Sequence, residues 1–167
     1  MTTAGHAAVG YFIAKSFIHA GIIPPALEPH AVTFAIIAAN IPDLDGLAYW
    51  RVLRHRIGSP LHIPIFWFVS TVPFILYQTM SGQPKLLGFT LLAFLCILSH
   101  LICDTVDYSY GIAWLWPFSN KHIHFWKKSF PVAPSIKTSL RNYTRNPILF
   151  AELVLSVSAY ITSRGGR

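Results

Sequence analysis

Apolar and polar positions along this chain fall into long blocks, a pattern that predicts helices long enough to sit in a bilayer. The first block, 7–23, is broken only by Lys15, Ser16 and His19. It predicts a helix of about 17 residues, enough to cross with some tilt, ended by Pro24-Pro25. A second run, 31–41, would be about 17 Å long at helical rise, short for a span and suited to burial among its neighbours. Block 63–80 would reach about 27 Å, with Pro64 in its first turn and Pro73 as an expected kink. A tight Ser-Gly-Gln-Pro connection leads into 85–103, almost purely apolar and closing on Ser99, His100 and Asp104. An aromatic stretch with six Lys/Arg, 105–146, separates it from a last apolar run, 147–162, which carries Glu152 and runs into a basic tail.

If 63–80 and 85–103 both cross a membrane, the polar stretch before them and the aromatic stretch after them emerge on one side. Running backwards through the first two helices brings His6 to that side as well. One face then collects His6, Asp43, Asp45, His55, His62, His100, Asp104, His122 and His124, whereas the other receives only Glu28, His30 and Lys85 from its loops. Lys and Arg divide the same way, nine against one, which places the motif-bearing face in the cytoplasm.

Composition supports the membrane setting. Of 167 residues 53% are apolar and 11% charged, against about 25% charged in ordinary soluble domains. The mean hydropathy is +0.49. The length suits a single domain over 1–167. A net charge of +7 among so few polar residues suits anionic lipid rather than nucleic acid. Cys96 and Cys103 would lie about 10 Å apart along one helix, too far for a disulfide with each other. The first residues lack the Lys/Arg start of a secretory signal, so no cleaved peptide is expected.

With charge so scarce, its placement is informative. Stretch 41–62 joins a Pro-Asp-x-Asp turn (Asp43, Asp45) to His55, Arg56 and His62. Carboxylate and imidazole together suit zinc, manganese or iron in a hydrolytic site, while a helix cap at Asp43 and Asp45 is an equally good reading of that turn alone. Gly58 and Pro60 permit a reversal that would let His55 and His62 face one centre, and Arg56 could clamp an anionic group. His100 and Asp104, four apart at a helix end, share a face and could give two metal ligands, or one ligand and its orienter. An ionisable pair at the edge of hydrocarbon is costly, which favours function over a simple helix closure. His122 and His124, among Trp and Lys, fit an interfacial belt contacting headgroups. His19, His30, Asp107 and Glu152 read as structural.

The ordered series of His6 with Gly10, PDLD at 42–45, HRIGSPLH at 55–62, SHLICD at 99–104 and YGIAWLWPFS at 110–119 resembles the YdjM-type family of bacterial inner-membrane proteins. That family is predicted to consist of membrane-bound metal-dependent hydrolases, and the resemblance covers roughly residues 3–119. It implies distant similarity to zinc-dependent phospholipase C and the P1-type nucleases, helical enzymes whose His and Asp metal clusters include an H-x-x-x-D pair. Carried over position by position, it implies His6, Asp43 or Asp45, His55, His100 and Asp104 as ligands. This chain departs where the family usually reads HRG followed by Thr-His-Ser. Its HRIGSPLHIP is longer and lacks the hydroxyls beside His62.

The expected protein is therefore an all-α integral membrane bundle of four or five embedded helices in the bacterial inner membrane, its site facing the cytoplasm. The expected activity is hydrolysis of a phosphoester or similar bond, in a lipid-like substrate, with a divalent metal such as zinc activating water. Arg56 or a Lys from the basic segment would stabilise charge on the departing or bridging oxygen, and whichever of Asp43 and Asp45 is not a ligand would be the general base. The rivals are a non-enzymatic binder of metal or anionic lipid and a b-type haem carrier, the latter disfavoured by the carboxylates.

Overall fold

The computed structural model describes residues 2–44, 60–106, 111–125, 144 and 148–165. Among these every regular element is helical, apart from one isolated β-bridge. The five longer helices among the described residues are α1 (Thr3–His19), α2 (Glu28–Asn40), α3 (Pro64–Met80), α4 (Pro84–Val106) and α5 (Ile148–Gly165), with single 3₁₀ turns at Pro25–Leu27, Ile41–Asp43 and Pro60–His62.

α1 ends earlier than the proline pair predicts. Gly21, at φ +71°, closes it in the left-handed conformation, with Ile22 N donating to Phe17 O and Gly21 N to Ile18 O. This double bond satisfies carbonyls that the helix end would otherwise orphan. The same closure, with Gly82 at φ +65°, ends α3 and turns the chain into α4. Pro64 occupies the first turn of α3 as expected, and Pro73 lies inside that helix.

The core is the meeting of α1, α2 and α4. α2 buries Ala31, Ala35, Ala38 and Ala39, side chains small enough to bring backbones close. At Gly10 of α1 an added Cβ would stand 2.8 Å from the Ala35 carbonyl oxygen, so only glycine permits that approach. Phe17, Ile23, Leu92 and Cys96 complete the apolar centre. α4 contributes a buried stripe at every fourth residue: Gly88, Leu92, Cys96, His100 and Asp104. Each step of four drifts by only about 40°, so the stripe winds slowly round the helix, packing the core at one end and delivering imidazole and carboxylate at the other.

α3 and α5 are dressed differently. α3 exposes Phe66, Phe68, Val69, Val72, Phe74 and Leu76, while α5 exposes Phe150, Leu153, Val154 and Val157 and buries Glu152. Such outward apolar surfaces suit lipid rather than water. By length and composition α4 and α5 are the two described helices able to cross a membrane, whereas α3, at 17 residues, falls just short. α2, at 13 residues, packs among its neighbours. The segment 111–125 folds over the end of α4. Ile112 and Ile123 form the bridge, Phe125 N donates to Thr105 O, and Trp114 Nε1 donates to Thr105 Oγ1 at 2.8 Å.

Candidate metal centre

Four separate stretches of chain deliver the cluster. α1 carries His6 in its first turns. α2 stops at Asn40, and a tight turn with Pro42 buried presents Asp43. The turn before α3 presents His62; it is pinned by Trp67 Nε1, which donates to Leu61 O at 2.8 Å, and by Ile63 N, which donates to Pro60 O. α4 supplies His100 and Asp104 from adjacent turns.

Asp104 is the hub, and it is 3% exposed. His6 Nε2 lies 3.3 Å from its Oδ1, while His100 Nε2 and His62 Nε2 lie 3.4 and 3.5 Å from its Oδ2. Asp43 Oδ1 is 3.9 Å from His100 Nε2. Donor atoms of Asp43, His62, His100 and Asp104 all lie within 4.8 Å of one another. His6 stands beside this foursome, its ring stacked on His100 at a centroid distance of 3.8 Å.

These distances bear on what the cluster holds. A good N–H···O hydrogen bond spans about 2.7–3.2 Å, whereas ligand atoms about 2.1 Å from a tetrahedral ion stand about 3.4 Å apart. The three imidazole–Asp104 separations fall at the second spacing. His100 adds an argument from its proton. Its Nδ1 lies 2.7 Å from the Ala39 carbonyl oxygen, which can only accept, so Nδ1 carries the hydrogen. In the neutral ring Nε2 is then a lone pair aimed at two carboxylates. A cation between them turns that repulsion into coordination, and a backbone carbonyl behind the ring is the usual orienter of a ligating histidine. Among the described residues, the buried Nε2 of His100 and both ring nitrogens of His6 have no hydrogen-bond partner. The residues present thus fit a small divalent ion with nitrogen and oxygen ligands.

Of the positions singled out in the sequence, His6, Asp43, His62, His100 and Asp104 come together. The longer loop and absent hydroxyls beside His62 do not carry it away from the cluster. Asp45, His55 and Arg56 lie outside the described residues, as does Asp107. His122, half-buried, and His124, exposed, do not belong to the cluster. One contributor escaped the sequence reading: the Ala39 carbonyl orients His100, and a backbone group carries no residue-specific signal. Glu152, read as structural, is buried against Thr2.

Comparison with known proteins agrees with the membrane setting. Inner membrane protein YbcI of Escherichia coli (strain K12) is 28% identical over 160 residues, spanning 92% of this chain and 88% of its own length. No solved structure matches the chain. The sequence model of the YdjM inner membrane protein family matches residues 1–165, nearly the whole chain, and the protein belongs to that family.

Proposed function

We propose that the protein is a metal-dependent hydrolase of the bacterial inner membrane, acting on a phosphoester in a lipid-like substrate with zinc as its ion. The observation that carries this reading is His100, its tautomer set by Ala39 and its Nε2 turned toward Asp104 and Asp43. His62, His100 and Asp104 would hold the ion, with His6 beside them. When bound, the ion would supply Lewis acidity, lowering the pKa of water and polarising a phosphoryl oxygen.

The chain's own residues then divide the work. Asp43 is the most open of the cluster, its side chain 21% exposed, so it is the member that solvent reaches most easily. There it either completes the ligand set or accepts the proton of the attacking water. Arg56, assigned from sequence alone, would neutralise the departing oxygen. Beside the His62 turn lies a groove of about 390 Å³ walled by Pro60, Ile63, Phe66, Val69 and Trp116. Among the described lining residues Ser70 carries the one hydroxyl, and it already donates to Trp67 O. Such walls suit hydrocarbon, and Phe66 and Val69 continue onto the exposed apolar face of α3. A lipid chain seated there would bring its headgroup to the cluster.

Purified protein should contain zinc, lose it in Asp104→Ala, and hydrolyse bis(p-nitrophenyl) phosphate as well as long-chain phospholipid. Ser70→Trp should fill the groove and cut hydrolysis of the long-chain substrate alone. Wild-type protein without metal would refute the proposal. The burial of His6, His100 and Asp104 favours one alternative, a closed structural ion; zinc-loaded protein inert toward every phosphoester would establish it. The haem reading gains nothing, because rings stacked at 3.8 Å leave no room for a macrocycle between them.

A further inference from the structure

α5 is turned outward along most of its length, yet it buries one carboxylate, Glu152, at 3% exposure. Glu152 Oε1 accepts the Thr2 backbone N–H at 2.8 Å, and Oε2 accepts the Thr2 hydroxyl at 2.7 Å. Thr2 is the cap of α1: its Oγ1 accepts from Gly5 N, and its carbonyl accepts from His6 N at 3.0 Å. A negative charge at this end also complements the helix dipole. The grip therefore falls on the turn that carries His6.

His6 depends on that grip in a way His100 does not. His100 is oriented through its own ring by the Ala39 carbonyl. Both His6 ring nitrogens are buried and hydrogen-bonded to no described residue, so beyond the 3.3 Å approach of Nε2 to Asp104 the ring is placed by stacking on His100 and by the backbone beneath it. A ring that must reach the ion, or the carboxylate that would hold it, has to sit within about 0.5 Å of its working position. An ionisable group on a lipid-facing helix is costly, and simple anchoring of α5 would need only apolar contact.

We infer that Glu152 is a positioning residue of the metal centre, holding His6 in reach of Asp104 by gripping Thr2; this rests on the metal reading above. The test is zinc titration by calorimetry on the full chain in detergent, for Glu152→Gln, Thr2→Val and Thr2→Ser, each with and without His6→Ala. Glu152→Gln and Thr2→Val should weaken zinc binding about tenfold, the scale of lost outer partners, while Thr2→Ser, which keeps the hydroxyl, should bind as wild type does. In the His6→Ala background Glu152→Gln should cost nothing further, because its effect runs through the ring already removed. Thr2→Val removes one hydroxyl, with its bond to Glu152 and its long 3.4 Å cap on Gly5 N, and so reports even if Glu152→Gln fails to fold. Equal weakening with and without His6, or none in either, overturns the role while leaving the metal centre standing. Failure of the unsubstituted protein to bind zinc overturns both.

Discussion

Replacing Asp104 with Asn separates a metal centre from a structural ion pair. The substitution keeps the shape and removes the charge that three imidazole nitrogens face at 3.3–3.5 Å. Suppose that His100 were an imidazolium held by Asp104. At 3.4 Å and an effective dielectric constant of 20 the attraction would be about 5 kcal/mol, in line with the roughly 3–5 kcal/mol lost when one partner of a buried pair is removed. Suppose instead that the rings are neutral and await a cation. The metal-free protein then sets lone pairs against a carboxylate, and Asn, whose amide can donate to one Nε2, should leave it as stable or more so. Zinc at about 100 times its Kd adds about 2.7 kcal/mol to the wild type, which for a chain of this length raises Tm by about 5–11 °C. Asp104→Asn should abolish that rise. Thermal melts of both proteins in detergent, with zinc and with chelator, read all four states. A chelated mutant melting far below the chelated wild type would refute the reasoning.

Three further outcomes follow from particular contacts. Gly10→Val should cost about 1–3 kcal/mol in chemical unfolding, because its Cβ would meet the Ala35 carbonyl and the Ala39 side chain; a variant as stable as wild type would show that α1 and α2 do not meet there. Gln78 is fully buried on α3 with neither amide atom hydrogen-bonded to a described residue, so Gln78→Leu should leave stability unchanged or raise it by about 1–3 kcal/mol, and a lower Tm would count against that. A reporter fused after Gly82 should read periplasmic, since Lys85 alone stands against nine Lys/Arg in 42–62 and 105–146; a cytoplasmic readout would reverse the proposed orientation of the site.

The helices were legible in the sequence because each is a local pattern. Long apolar blocks, Pro64 at a first turn and the Ser-Gly-Gln-Pro turn place α3 and α4 with little help from the rest of the chain. The His100–Asp104 pair is legible for the same reason, since four residues on a helix always return to one face. Even the end of α1 was written locally, at Gly21, although the neighbouring prolines are the louder signal. The approach of His6 and His62 to Asp104 is a different matter. It depends on how closely α1 packs on α2, which Gly10 and the buried alanines allow, and on the Trp67 bond that pins the turn before α3. No periodicity encodes a distance between segments so far apart in the chain. The tertiary structure alone also gave His100 its orienting carbonyl and Glu152 its grip on Thr2. A backbone oxygen looks the same under every residue, and a buried carboxylate reveals its purpose only through the donors that packing brings to it.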